Sequence, residues 1–120
     1  MFAAQPPIDL KQTVEAMSDG ETLVLGAGIY RGCGISVSNV AIVIRGAGAG
    51  RTEINCDRAN RFMTVSGGGL ALEGLTVSNG TESSDGGCLH VTGATLLLKN
   101  VGLSHCNSGF RGGAIFGSAR

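Results

Sequence analysis

Apolar residues alternate with polar or small ones in a series of short runs: Ile35-x-Val37, Ile42-x-Ile44, Met63-x-Val65, Leu70-x-Leu72, Leu75-x-Val77, Leu89-x-Val91, Leu96-x-Leu98 and Val101-x-Leu103. A period of two sends successive side chains to opposite faces of an extended chain, so each run predicts a strand with one buried face. The runs also recur as a set. Residues 64–93 lie on residues 90 onward with a constant step of 26 and no gap, which places Val65 on Val91, Gly67 on Gly93, Leu70 on Leu96, Leu72 on Leu98 and Ser78 on Ser104. A step of 28 in the other direction places Val37 on Val65, Ser38 on Ser66, Ile42 on Leu70, Ile44 on Leu72 and Gly46 on Gly74.

A unit this short cannot bury its own apolar face, whereas copies stacked strand on strand bury a continuous core. The prediction is an all-β, parallel solenoid of about three to four coils. Its interior columns are Ile35, Met63, Leu89, Ile115; Val37, Val65, Val91; Ile42, Leu70, Leu96; Ile44, Leu72, Leu98; Leu75, Val101; and Val77, Leu103. The next column, Arg45, Glu73, Lys99, alternates in sign and points outward, where it favours correct register. Before the repeats, "IDLKQTVEAMSDG" sets Leu10, Val14 and Met17 on one helical face, with Asp9 as N-cap, Gln12 at the capping-box position and Gly20 past the end. We expect a single domain over residues 1–120, with a capping helix at 8–19 and coils at 20–117, as a piece of a longer chain.

The stretch "AIVIRGAGAGR" looks like a strand entering a phosphate-binding loop. That reading needs a helix after the glycines, whose free amides meet the phosphate, and "TEINCDRANRFMTVSGGG" has no helical periodicity. The repeat supplies another role: Gly46, Gly74 and Asn100 share a column at a bend, and Gly and Asn are the residues that tolerate a left-handed backbone. We therefore expect all three to turn a corner with positive φ.

Composition removes further classes. With 21 Gly, 2 Pro and 42% hydrophobic residues the chain is neither collagen-like nor disordered. Nine basic and nine acidic side chains, scattered, make no nucleic-acid footprint, and there is no run of 18 apolar residues for a membrane span. "MFAAQPPI" lacks the basic start and long apolar core of a signal peptide.

The segments "SDGETLVLGAGIYRG", "ISVSNVAIVIRGAGAGRTEINC", "FMTVSGGGLALEGLTVSNG" and "GGCLHVTGATLLLKNVGLSHCNSGFRGGAIFG" resemble the right-handed parallel β-helix of the pectin-lyase-like superfamily. "GGAI" at 112–115, after "LSHCN", is similar to the GGA[ILV] repeats of polymorphic outer-membrane proteins, with Leu103 and Cys106 out of phase with their F-x-x-N. The resemblance implies a secreted or cell-surface module acting in adhesion or glycan binding, without a cofactor. The alternative it implies is a fragment of a polysaccharide lyase or glycoside hydrolase. Such enzymes carry carboxylates, often a Ca²⁺, and a basic residue on the loops that lead from the third strand to the first. Here those loops offer Asp57, Asp85 and Glu82 with Arg111, and Asp57 and Asp85 as calcium candidates. Solvated loop charge is the plainer reading.

For glycan binding the candidates are Thr64, His90 and Phe116, which follow Ser36 in one outward column, together with Glu82. His90 and His105 stand 15 apart with no carboxylate motif, so no metal site is expected from them. The four cysteines allow three pairings. Cys33 and Cys56, at corners of adjacent coils, are the first pair to consider. Buried free thiols are the rival, which suits Cys88 in column with Ala114. A first strand restarting at Ile115 leaves Leu96, Leu98, Val101 and Leu103 uncovered on one side, which predicts either a fragment of a longer stack or self-association through the C-terminal edge.

Overall fold

A computed structural model of the protein describes residues 2–4, 8–58, 61–82, 87–108 and 115–119. Among the described residues one short helix and ten strands succeed one another: β1 (Phe2–Ala4), α1 (Leu10–Glu15), β2 (Thr22–Leu25), β3 (Gly28–Tyr30), β4 (Ile35–Arg45), β5 (Thr52–Asn55), β6 (Met63–Ser78), β7 (Thr81–Glu82), β8 (Leu89–Ser104), β9 (Asn107–Ser108) and β10 (Ile115–Ala119). The fold is all-β, and every strand pairing among the described residues is parallel.

The registers join each strand to its counterpart one repeat along. β4 pairs with β6 from Ile35↔Met63 to Arg45↔Glu73, and β6 with β8 from Met63↔Leu89 to Ser78↔Ser104. β10 continues the stack with Ile115↔Leu89 and Gly117↔Val91. The columns expected from the sequence are thus the observed Cα partners. Past its pairing with β4, β6 meets β5 through Ile54↔Val77, so Ile54 extends the Val77–Leu103 column, and Tyr30↔Ile54 extends it again.

Inward residues of β4, β6 and the first half of β8 are buried, and they form one continuous core with Leu10, Val14 and Met17 of the helical segment. Polar groups inside it are satisfied. Tyr30 Oη donates to the carbonyl of Gly26 at 2.9 Å, while Thr52 Oγ1 donates to that carbonyl at 3.1 Å and accepts from the Ala47 amide at 2.8 Å.

The helix is shorter than the 8–19 expected. Asp9 is the N-cap and accepts from the Gln12 amide at 3.1 Å, but the helix stops at Glu15 with Ala16 as C-cap. The reason lies in Asp19 and Gly20. Asp19 Oδ1 accepts from the Ala41 amide, and the Gly20 amide, at φ +87°, donates to the Ala41 carbonyl, both at 2.7 Å. These bonds to β4 compete with further helical turns. Glu15 acts likewise, accepting from the Ser36 amide at 2.9 Å. Two carboxylates thus occupy amides along the N-terminal edge of the sheet, the part an edge strand would otherwise leave bare.

One corner expectation is corrected. Gly74 (φ +61°) and Asn100 (φ +56°) are left-handed, but Gly46 is not. A Cβ on Gly46 would collide with the Gly74 carbonyl and lie 2.8 Å from Thr52 Cβ. Glycine is required there by the close approach of the neighbouring strand at Gly74 rather than by φ. A second left-handed column, Asn39 (φ +58°), Gly67 (φ +71°) and Gly93 (φ +58°), separates the first and second arms of the long strands.

Candidate functional site

The first arms of β4, β6 and β8 bury Val37, Val65 and Val91 and turn the alternate residues outward. Two columns result. Ser36, Thr64 and His90 are partners in register, as are Ser38, Ser66 and Thr92; the backbones of Phe116 and Ser118 extend them by one rung. Neighbouring rungs of a sheet stand about 4.8 Å apart, and alternate residues on one strand about 7 Å apart. The outcome is a small grid of neutral hydroxyls with an imidazole at one corner. Arg61 adds a cation, its Nη1 donating to Thr64 Oγ1 at 2.9 Å. Below Ser36, the bonds from its amide and from Lys11 hold the Glu15 carboxyl below the usual glutamate range.

Around the Asn39–Gly67–Gly93 corner the chemistry changes. An outward groove of about 370 Å³ is lined by Ala41, Val43, Gly69, Ala71, Thr95 and Leu97 among others. The sequence signal was present but easily passed over: where the first arm turns hydroxyls outward, the start of the second turns out Ala41, Val43, Gly69 and Ala71.

The loop candidates are not assembled into one constellation by the described residues. Asp57 pairs with Arg31, a residue 26 positions earlier that sequence reasoning did not consider. Both side chains are exposed, and the Asp57 carboxylate raises the Arg31 pKa by accepting its hydrogen bond. Beside them, Asn55 Oδ1 accepts from the Asp57 amide at 2.9 Å and from Asn79 Nδ2 at 3.1 Å. Glu82 is placed by its backbone alone, opposite Ser108. Asp85 and Arg111 lie outside the described residues, as does the rest of the 83–86 and 109–114 loops. Among the described residues no three His, Cys, Asp or Glu side chains converge on a point where a metal would sit. No helix among them is long and apolar enough to cross a membrane.

All four cysteines are paired. Cys33 joins Cys56 with Cα atoms 5.4 Å apart, and Cys88 joins Cys106 at 5.5 Å. The free-thiol reading of Cys88 is corrected by the second bridge. In the repeat its column continues with Ala114, which has no sulfur, whereas Cys106 comes 18 residues after it along the chain. Cys33 lies two residues before β4 and Cys56 directly after β5, while Cys88 directly precedes β8 and Cys106 lies two residues after it. One repeat before the second bridge, Phe62 and Gly80 stand where Cys88 and Cys106 do, and a Cβ on Gly80 would lie 2.6 Å from Cys88 Sγ.

Searches with this sequence and structure against protein-family models, curated proteins and solved structures return no match.

Proposed function

We propose that the chain is a right-handed parallel β-helix module of a secreted or cell-surface protein, akin to the pectin-lyase-like superfamily it resembles, and that it binds glycans without transforming them. The observation that carries this reading is the outward grid of Ser36, Thr64, His90, Ser38, Ser66 and Thr92. Sugars are recognised by neutral donors and acceptors at fixed spacing, and a stack of strands fixes that spacing without cost at the moment of binding. Right-handedness is favoured because parallel crossovers in one sheet take that hand almost without exception. Two disulfides suit an oxidising compartment. The engagement of Asp57 by Arg31 favours binding over lyase chemistry, since a base held in an ion pair is poorly placed to abstract a proton.

Affinity electrophoresis in gels containing pectate, xylan or β-glucan tests the reading. Retardation by at least one polysaccharide is expected, lost in the double variant Thr64→Val, Ser66→Ala with its circular dichroism unchanged. Migration unaffected by every polysaccharide, or retardation that survives the double variant, refutes it. Formation of unsaturated product from pectate and Ca²⁺, abolished by Asp57→Ala or Asp85→Ala, would establish the lyase alternative instead.

A further inference from the structure

Asn79-Gly80-Thr81 is the one place in the sequence where an Asn is followed, two residues on, by Ser or Thr. Asn-x-Ser/Thr, with x other than Pro, is the acceptor pattern for an N-linked glycan on the surface of a secreted chain. The two disulfides suit the same oxidising route.

The fold accounts for the first two residues of the triplet by other means. Asn79 follows β6 at a corner with φ +58°, and His105, one repeat later, turns the same corner at φ +54°. Gly80 has no room for a side chain, since a Cβ there would lie 2.4 Å from the Gly87 carbonyl oxygen. The hydroxyl of Thr81 has no such cause. Asn107 takes its place one repeat later and is its partner in register, so the column does not call for a hydroxyl, and Thr81 Oγ1 has no hydrogen-bond partner among the described residues.

Asn79 can also take a sugar without losing its place. Its side chain is half-exposed, and Nδ2 donates to Asn55 Oδ1 at 3.1 Å. A carboxamide nitrogen carries two hydrogens, so one is left for a sugar to replace while the other serves Asn55. The triplet is fastened by residues made after it: the Asn79 amide donates to the Ser104 carbonyl at 3.0 Å, and Thr81 lies in register with Asn107. A chain synthesised from its N-terminus therefore presents residues 79–81 before these partners exist.

We propose that Asn79 is the acceptor of an N-linked oligosaccharide, with Thr81 as the hydroxyl that the transferring enzyme reads. The donor is an oligosaccharide carried on a polyprenyl diphosphate. Its bond from sugar C1 to the phosphate oxygen breaks and the diphosphate leaves, while Nδ2 bonds to C1 and gives up one proton to a base of the enzyme. The site rests on the secretory route of the reading above but not on its outward grid. A modification is scored by what the chain carries rather than by what it binds, so either can fail alone.

For the test, the full chain is sent through the secretory pathway of a eukaryotic cell behind a cleavable leader, beside a known glycoprotein, and recovered from medium and secretory membranes. We expect a slower band on gels that collapses under an amidase specific for N-linked glycans, with aspartate left at position 79 by mass spectrometry. Thr81→Ala should abolish the slower band, and Thr81→Ser, which keeps the hydroxyl, should retain it; that pair separates recognition from folding. A parent chain without glycan while the control glycoprotein carries one, a glycan that persists in Thr81→Ala, or one lost in Thr81→Ser overturns the proposal.

Discussion

Leu72 and Leu98 are the same residue in the same column, one rung apart, and the structure gives them different worth. Truncating leucine to alanine removes three carbons, about 2.4 kcal/mol of transfer free energy at about 0.8 kcal/mol per methylene. At Leu72, fully enclosed, the hole left behind adds a cavity cost, and buried leucines truncated in this way lose about 2.7–5 kcal/mol. We expect about 3.5 kcal/mol for Leu72→Ala. At Leu98 the side chain is 36% exposed, so roughly two-thirds of the transfer term applies and the space left is open to water rather than sealed. About 1.5 kcal/mol is expected for Leu98→Ala. Urea unfolding measures both, followed by far-ultraviolet circular dichroism and by emission of Tyr30, the single tyrosine in a chain without tryptophan and a buried one. Equal m-values are needed to read the midpoints as stability. Costs within about 0.5 kcal/mol of each other would refute the reasoning, because Leu98 would then be as enclosed as Leu72.

Two further outcomes are expected. Replacing both cysteines of a bridge by serine should cost about 3 kcal/mol for either bridge, because the loops they close differ little in length and loop length sets the entropic contribution; paired urea melts of the two double variants check this. Glu15 has a folded pKa below its ordinary value, so its stabilisation is full above the unfolded pKa and is lost as pH falls through the folded one; Glu15→Ala should be less stable than the parent by under about 1 kcal/mol near neutral pH, and the gap should close on acidification.

The repeats were legible wherever like residues stack on like at a constant step, because a column of Ile, Leu and Leu or of Val, Val and Val is written in the sequence as periodic identity. Ile54 was harder to place. The steps Gly28↔Thr52 and Ile54↔Val77 are 24 and 23 residues rather than 26, so a search for constant spacing passes over the early strands. Gly46 looked like a left-handed corner because Gly74 and Asn100 are; only the folded chain reveals that it is pressed against the Gly74 carbonyl instead. Of the outward grid, the Thr64–His90 column was visible from the repeat, whereas Ser38, Ser66 and Thr92 gained meaning only once both columns were seen to share one face. Arg31–Asp57 went unread because no motif links them; their meeting depends on how the loops after β3 and β5 leave the stack.

The two bridges, each closing a short loop of chain, have a mechanical consequence. A force applied at the chain ends can peel strands from the stack, but it cannot draw out the residues between Cys33 and Cys56 or between Cys88 and Cys106, because the pull passes through the sulfur atoms. At about 3.4 Å per extended residue, roughly 140 Å of contour length stays locked until the bridges are reduced. A molecule of this kind under tension yields in short steps and holds its tethered length, and a protease cut inside either loop leaves the two pieces joined.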